Sequence, residues 1–259
     1  MVTTDAPRRR LTRFVPLRRR QEPDGRMTVV EHLSELRRRL VICIIAVLIT
    51  GSIMFVLSTD VISFLVTFYK DATGRPKGTL IFTGPLDAFA TRLKIATYGG
   101  IVLASPVWLF QLWRFITPGL NPKEKKYAIP FVLSSIFLFV LGGCVALLTL
   151  EPALNFLLQI GGSDVQPLLT YDKYVSLVAL MIVAFGLSFE FPVILMFLLL
   201  ARVLNTQQLR AWRRYAGVII VAFAALITPS QDPYSLFAMA VPMYIFYEAC
   251  IIIGRFLKR

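Results

Sequence analysis

The sequence predicts an all-α integral membrane protein with six transmembrane helices, both termini on the cytoplasmic side, and a short final pair of helices. Three observations carry this. Hydrophobic residues make up 56% of the 259-residue chain and charged residues only 17%, against about a quarter charged in an average soluble domain. The apolar residues come in long unbroken runs, the mark of membrane spans. The formal net charge of +13 is concentrated in alternate connecting segments, which sets orientation. A surplus of this sign on so apolar a chain (mean hydropathy +0.68) points to cytoplasmic loops and anionic lipid headgroups. Nucleic acid is not an expected partner, since no basic-aromatic interleaving occurs outside the spans.

Residues 1–26, with Arg8-Arg9-Arg10, Arg13 and Arg18-Arg19-Arg20, read as a disordered basic cytoplasmic tail. The membrane domain covers 27–259. It opens on Met27 to Leu40, where Thr28 and Glu31 have the form of a capping box. Val29, Val30, Leu33, Leu36 and Leu40 recur at helical spacing, giving an amphipathic lead-in helix placed in the membrane interface. Glu31 and Glu35 lie one turn apart on it, and Glu35 can pair Arg38 or Arg39.

The expected spans are about 40–58, 88–112, 127–150, 175–201, 215–228 and 234–253. Between the first two, Asp60 to Tyr69 reads as a short amphipathic helix with Val61, Phe64, Leu65 and Phe68 on one side. An outer loop then follows to Gly84. Span two has Pro106 near its inner end. Glu151 to Asp172, with Pro152, Gly161-Gly162 and Pro167, reads as the second outer loop. Only fourteen residues run from Tyr215 to Thr228, and another fourteen from Tyr234 to Tyr247. At ~1.5 Å per residue each stretch covers about 21 Å, well short of the ~30 Å hydrocarbon core, so this hairpin is expected to thin the bilayer or lean on longer neighbours.

Two stretches carry the chemistry. The first is the polar turn from Gln111 through Trp113, Phe115 and Pro118-Gly119 to Lys126, where Pro and Gly end one span before the next begins. Glu124 stands there among Lys123, Lys125 and Lys126. Ion pairing with those lysines accounts for it structurally; functionally it is a rare negative point on a basic cytoplasmic face. The second is Glu190, in Phe185-Gly186-Leu187-Ser188-Phe189-Glu190-Phe191-Pro192, near the middle of span four. A carboxyl at that depth needs a proton, a partner or a polar cavity, and an intramembrane acid is a functional site by default. Pro192 frees the carbonyl of Ser188 and is expected to kink the helix; a bond from a protonated Glu190 to that carbonyl is the structural alternative.

Cys43, Cys144 and Cys250 all lie inside apolar runs, and His32 is the only histidine. No disulfide framework, histidine-based metal site, phosphate loop or nucleophile elbow follows, so the chain is not expected to be an enzyme or to hold a cofactor. A proton-coupled small-solute transporter using Glu190 is the alternative function, although such proteins usually show several buried ionisable groups and an internal repeat.

The motifs resemble the TatC family, the polytopic core of the twin-arginine protein translocase. The match runs from His32-Leu33-Ser34-Glu35-Leu36-Arg37-Arg38-Arg39-Leu40 through Gln111-Leu112-Trp113-Arg114-Phe115-Ile116-Thr117-Pro118-Gly119-Leu120 and Glu124-Lys125-Lys126. It continues in Phe189-Glu190-Phe191-Pro192 and Arg213-Arg214-Tyr215, and ends with Thr228-Pro229, Asp232, Pro242 and Tyr247-Glu248. The resemblance implies a bacterial plasma-membrane protein with no catalytic residues. It implies binding of Arg-Arg signal peptides of folded cargo on the cytoplasmic face. It also implies assembly with TatA- and TatB-like single-span subunits and with further copies of itself, and transport driven by the proton-motive force without nucleotide. By the same resemblance Phe115 and Glu124, with Glu35, belong to the signal-recognition site. Glu31, Arg37 and Trp113 are further candidates beside them. Glu190 is the intramembrane position associated with partner subunits, and Asp232 lies in the last outer loop.

Overall fold

In the computed structural model the structure describes residues 29–73, 80–116, 128–160 and 169–256. The basic tail 1–26, the Thr28 cap and the turn 117–127 that carries Glu124 lie outside the described residues.

The first helix, α1 (Val29–Val56), runs unbroken for 28 residues. At ~1.5 Å per residue it is about 42 Å long, which exceeds the hydrocarbon core and leaves its first turns beyond it. The lead-in expected to lie in the interface is therefore the first part of the first span. The reason is local: Glu31 to Leu40 holds neither Gly nor Pro, and its Leu, Glu and Arg residues are strong helix formers. Helix α2 (Ser58–Thr73) turns Leu65 and Tyr69 inward, but Phe64, expected on the same side as Leu65, is exposed.

The second span is not one helix over 88–112. It consists of α3 (Asp87–Lys94), a π-helical turn (Ile95–Gly99), α4 (Gly100–Leu103) and α5 (Ser105–Ile116), with a 50° bend before α5. Pro106 supplies no N–H to the turn before it, and the Trp108 indole N–H donates to the Ile101 carbonyl of the same turn at 3.0 Å. The π turn presses against α1. A Cβ on Gly100 would lie 2.7 Å from Gly51 Cα, and the Thr50 hydroxyl donates to the Gly100 carbonyl at 2.8 Å.

Helix α6 (Ala128–Gln159) runs on through Pro152 to Gln159, so the loop expected from Glu151 is helical in its first part. Burial of Ala153 and Leu154 holds the turn that the proline weakens. Helix α7 (Tyr171–Ser188) and α8 (Phe191–Leu200) are one span broken at Phe189 and Glu190, where Pro192 predicts a kink. Helix α9 (Thr206–Ala211) is short and closed by an Asn205–Gln208 capping box. Helix α10 (Arg213–Ile227) has 15 residues, about 22 Å, and is short as its spacing predicts. Helix α11 (Pro233–Phe256) is not: it has 24 residues, about 36 Å. Glu248 does not end it, because Arg213 Nη2 pairs with Glu248 Oε2 at 2.5 Å.

Among the described residues, Val30–Val56, Ala128–Gln159, Tyr171–Leu200 and Pro233–Phe256 are long and apolar enough to cross a membrane, and the bent α3–α5 unit makes a fifth. The core centres on α6 and α7. A Cβ on Gly142 would meet the Phe185 carbonyl oxygen at 2.6 Å, and one on Gly186 would meet the Phe139 ring at 2.8 Å. Around this contact Tyr174, Phe139, Phe185, Met181 and Met239 are fully buried. We call the end where α1 begins proximal and the other distal. At the distal end a parallel bridge joins Ile81 to Thr170, and Lys94 pairs with Asp172 at 2.7 Å.

Candidate functional site: the proximal cleft and the buried acid

At the proximal end α1 and the last turns of α5 flank a cleft of about 170 Å³, lined by Glu35, Arg38, Arg39, Ile42, Gln111 and Arg114. Helical spacing puts Glu35 one turn from Arg39, and the Glu35 Oε1 accepts an ion-paired hydrogen bond from Arg39 Nη2. Arg39 Nη1 reaches across to Gln111 Oε1 at a long 3.4 Å. Glu35 Oε2 and Arg39 Nε are buried without a partner among the described residues. The cleft thus holds a carboxylate that is half engaged and has acceptor capacity to spare.

The rings of His32 and Phe115 stack beside it, 4.3 Å apart and inclined by 17°, while the Arg114 guanidinium lies 6.0 Å from the Phe110 ring centre. Glu35 and Phe115, from α1 and α5, are thereby brought to one end of one helix pair. Glu31 sits exposed on the first turn of α1. Arg37 points elsewhere, into a shallow groove with Leu33, Ser34, Arg38, Val41 and Ile42. His32, Arg39 and Gln111 stood in the motifs but were not singled out as site residues; the i, i+4 Glu-Arg spacing was the available signal for Arg39.

Trp113 does not join Phe115 at the cleft. Residues two apart on a helix do not share a face, and Trp113, 3% exposed, points into the bundle. Its ring stacks on Phe131 at 5.0 Å and meets Phe197 edge-on at 5.7 Å. Its indole N–H donates to Ser135 Oγ at 2.6 Å. Glu190, 6% exposed, sits in the break between α7 and α8. The Glu190 Oε1 is buried without a partner among the described residues. Ser135 is the residue that the sequence reading missed, because nothing local marks one buried serine among several.

Asp232 sits at the distal end, 1% exposed. Its Oδ1 accepts the Ser235 N–H at 2.8 Å, the geometry of an N-cap for α11 with Pro233 at the first helical position.

A family model described as "Sec-independent protein translocase protein (TatC)" matches residues 31–242. The Sec-independent protein translocase protein TatC of Frankia casuarinae is 43% identical over 257 residues, covering 95% of this chain and 71% of that protein. The TatC protein of Carboxydothermus hydrogenoformans is 37% identical, covering 91% of this chain and 96% of its own. A crystal structure of the twin arginine translocase receptor TatC superposes with a TM-score of 0.70 at 37% identity, covering 88% of this chain and all of that one (100%).

Proposed function

The chain belongs to the TatC family of Sec-independent protein translocase proteins, and from that premise we propose that it is the receptor that reads Arg-Arg signal peptides of folded cargo at its proximal cleft. In this reading α10 completes a set of six spans, both termini face the cytoplasm of a bacterial plasma membrane, and the proximal end is the cytoplasmic one. Single-span TatA- and TatB-like subunits assemble on it, with Glu190 at their contact, and the proton-motive force drives transport.

The observation that carries the proposal is the placing of Glu35 beside Phe115 by two different helices. A guanidinium pairs with a carboxylate through two parallel hydrogen bonds and stacks on aromatic faces. Glu35 offers an unpartnered oxygen and Phe115 a ring. Arg39 holds the other Glu35 oxygen in the resting state, and an incoming arginine competes for it. Glu124, which follows Phe115 in sequence, supplies a second carboxylate from the same connection.

A photocrosslinker at position 115, offered Arg-Arg and Lys-Lys signal peptides, tests this directly. Capture of the Arg-Arg peptide alone is expected, with capture lost in Glu124→Lys while the thermal melt is unchanged. Equal capture of both peptides removes the cleft as an arginine reader, and undiminished capture by Glu124→Lys removes Glu124 from it.

A further inference from the structure

The carboxylate and the ring that the receptor reading assigns to an incoming arginine are both engaged by other side chains of α1. On that helix His32, Glu35 and Arg39 stand at i, i+3 and i+7, one stripe along one face. The stripe is turned toward α5 and touches it at both ends. Arg39 Nη1 reaches Gln111 at 3.4 Å. The His32 ring lies flat on Phe115, one helical turn further along α5, with centroids 4.3 Å apart and planes inclined by 17°. Between these contacts sits Glu35, whose Oε1 is held by Arg39 and whose Oε2 is buried without a partner among the described residues. A guanidinium that pairs with Glu35 and stacks on Phe115 must approach the ring from its α1 side, and His32 covers that side. The cleft shows the consequence: its lining is aliphatic, polar and charged, with no aromatic wall among the described residues.

We propose that His32 is a resident cover on the Phe115 ring, which an arginine of the signal peptide must displace, and that this displacement sets the affinity for the peptide. The proposal rests on the receptor reading given above. The exchange is of like for like. An imidazole lies flat on the phenyl face, and so does a guanidinium, which is planar and weakly hydrated for a cation. The ammonium of a lysine is a compact, strongly hydrated point charge with no plane to lay on the ring. A lysine therefore leaves the cover in place and meets only the spare oxygen of Glu35, whereas an arginine takes ring and carboxylate together. The resting receptor thus carries a stand-in for its ligand on α1: a guanidinium, from Arg39, on the carboxylate and a flat ring, from His32, on the phenyl face. His32 is exposed while Phe115 is half-buried, so the cover swings into water without opening the bundle. Because only the uncovered state takes an arginine on the ring, the apparent affinity is lowered by the fraction of receptors that are covered at rest.

His32 is the sole histidine, so full-length protein purified without a histidine tag, labelled with isotopic histidine and held in lipid nanodiscs gives one imidazole signal in NMR. Stacking on a phenyl face moves the imidazole protons upfield, and Phe115→Leu is expected to abolish that displacement. Adding an Arg-Arg signal peptide to the parent is expected to move the signal to the same unstacked position, and adding a Lys-Lys peptide to leave it where it was. In fluorescence anisotropy with labelled peptides, His32→Ala is expected to bind the Arg-Arg peptide about three- to tenfold more tightly than the parent, the scale of one stacked aromatic pair, and the Lys-Lys peptide within about twofold of it. His32→Phe keeps a ring on the ring and is expected to bind the Arg-Arg peptide no more tightly than the parent. A signal that Phe115→Leu leaves in place shows that the rings do not stack and overturns the proposal, whether or not any peptide binds. Arg-Arg peptide bound to the parent with the signal still stacked overturns the displacement and leaves the receptor reading standing. Weaker binding by His32→Ala does the same, by making His32 part of the wall that holds the peptide. Absence of Arg-Arg binding in both the parent and His32→Ala, with the rings shown to stack, is instead the failure of the receptor reading, and the displacement falls with it.

Discussion

Helix α1 and the α7–α8 span are almost equally apolar and live in opposite surroundings. Their most apolar windows have mean hydropathies of 2.5 and 2.3, yet none of the α1 window is buried within the protein and half (50%) of the α7–α8 window is. Hydropathy reports that a segment leaves water, not what replaces the water. The difference lies in the small and polar residues. The α7–α8 span carries Gly186, Tyr174, Ser188 and Glu190 toward its neighbours, and such residues let membrane helices approach closely and bond across the gap. On α1 the exposed face is Ile, Leu and Val, while Gly51 and Thr50 form the narrow strip that meets the second span. The buried span is scaffold. The exposed one is a peripheral arm that presents Glu35 and Arg39.

Breaking the scaffold is expected to have the largest effect. Gly142→Leu drives a side chain into the Phe185 carbonyl, 2.6 Å from the nearest added atom, at a cost of about 3 kcal/mol or more, the upper range for overpacking a core. Scanning fluorimetry in detergent should show a collapse of the melting transition. Gly143→Ala, whose added atom meets only Ile182 at 3.4 Å, should change it little; equal damage from both would mean that the α6–α7 contact is not the keystone of the bundle.

A smaller effect is expected at the arm. Gly100→Leu collides with the Gly51 backbone at 2.7 Å and should push α1 off the π turn, at about 1–3 kcal/mol. Disulfide formation between cysteines placed at 32 and 115, which lie in ring contact, should drop severalfold while most of the protein stays folded. Undiminished disulfide formation would show that α1 is held at its proximal end and not at the glycines.

The smallest change in stability, and the clearest separation of arm from scaffold, is expected from Glu35→Gln. It weakens a part-buried i, i+4 ion pair but keeps a hydrogen-bonding side chain there, so the cost should be about 1 kcal/mol or less and the melt should shift only slightly. Arg-Arg peptide affinity should nevertheless fall about tenfold, the scale of one charge-assisted hydrogen bond. A large loss of stability with unchanged affinity would move Glu35 from the receptor to the scaffold.

Much of this was legible in the sequence because a membrane allows few choices. The apolar runs marked the spans, Pro192 marked the break at Glu190, and the length of Tyr215 to Thr228 marked α10 as short. What stayed hidden depends on partners distant in sequence. Glu248 reads as the end of a helix until Arg213 is placed against it. Glu151-Pro152 reads as the start of a loop until the burial of Ala153 and Leu154 is known. Pro106 announces the 50° bend before α5, but nothing local announces the π turn or how closely Gly100 approaches α1. Trp113 reads as a neighbour of Phe115 because the two are adjacent in the motif, and helical geometry sends them to opposite sides. The expense of burying an acid points to Glu190, and nothing local marks Ser135 as the partner of Trp113.

A straight rod pushed at one end moves at the other, whereas a jointed one gives at the joint. The second span is jointed at Ala104, between α4 and α5. Its distal member is pinned, with Lys94 tied to Asp172 and the Ile81–Thr170 bridge stitching the neighbouring connections together. A load applied at Phe115 is therefore expected to rock α5 about the joint and to leave α3 where it is. The bend and the pinned distal member thus divide the second span into a part free to rock and a part held in place.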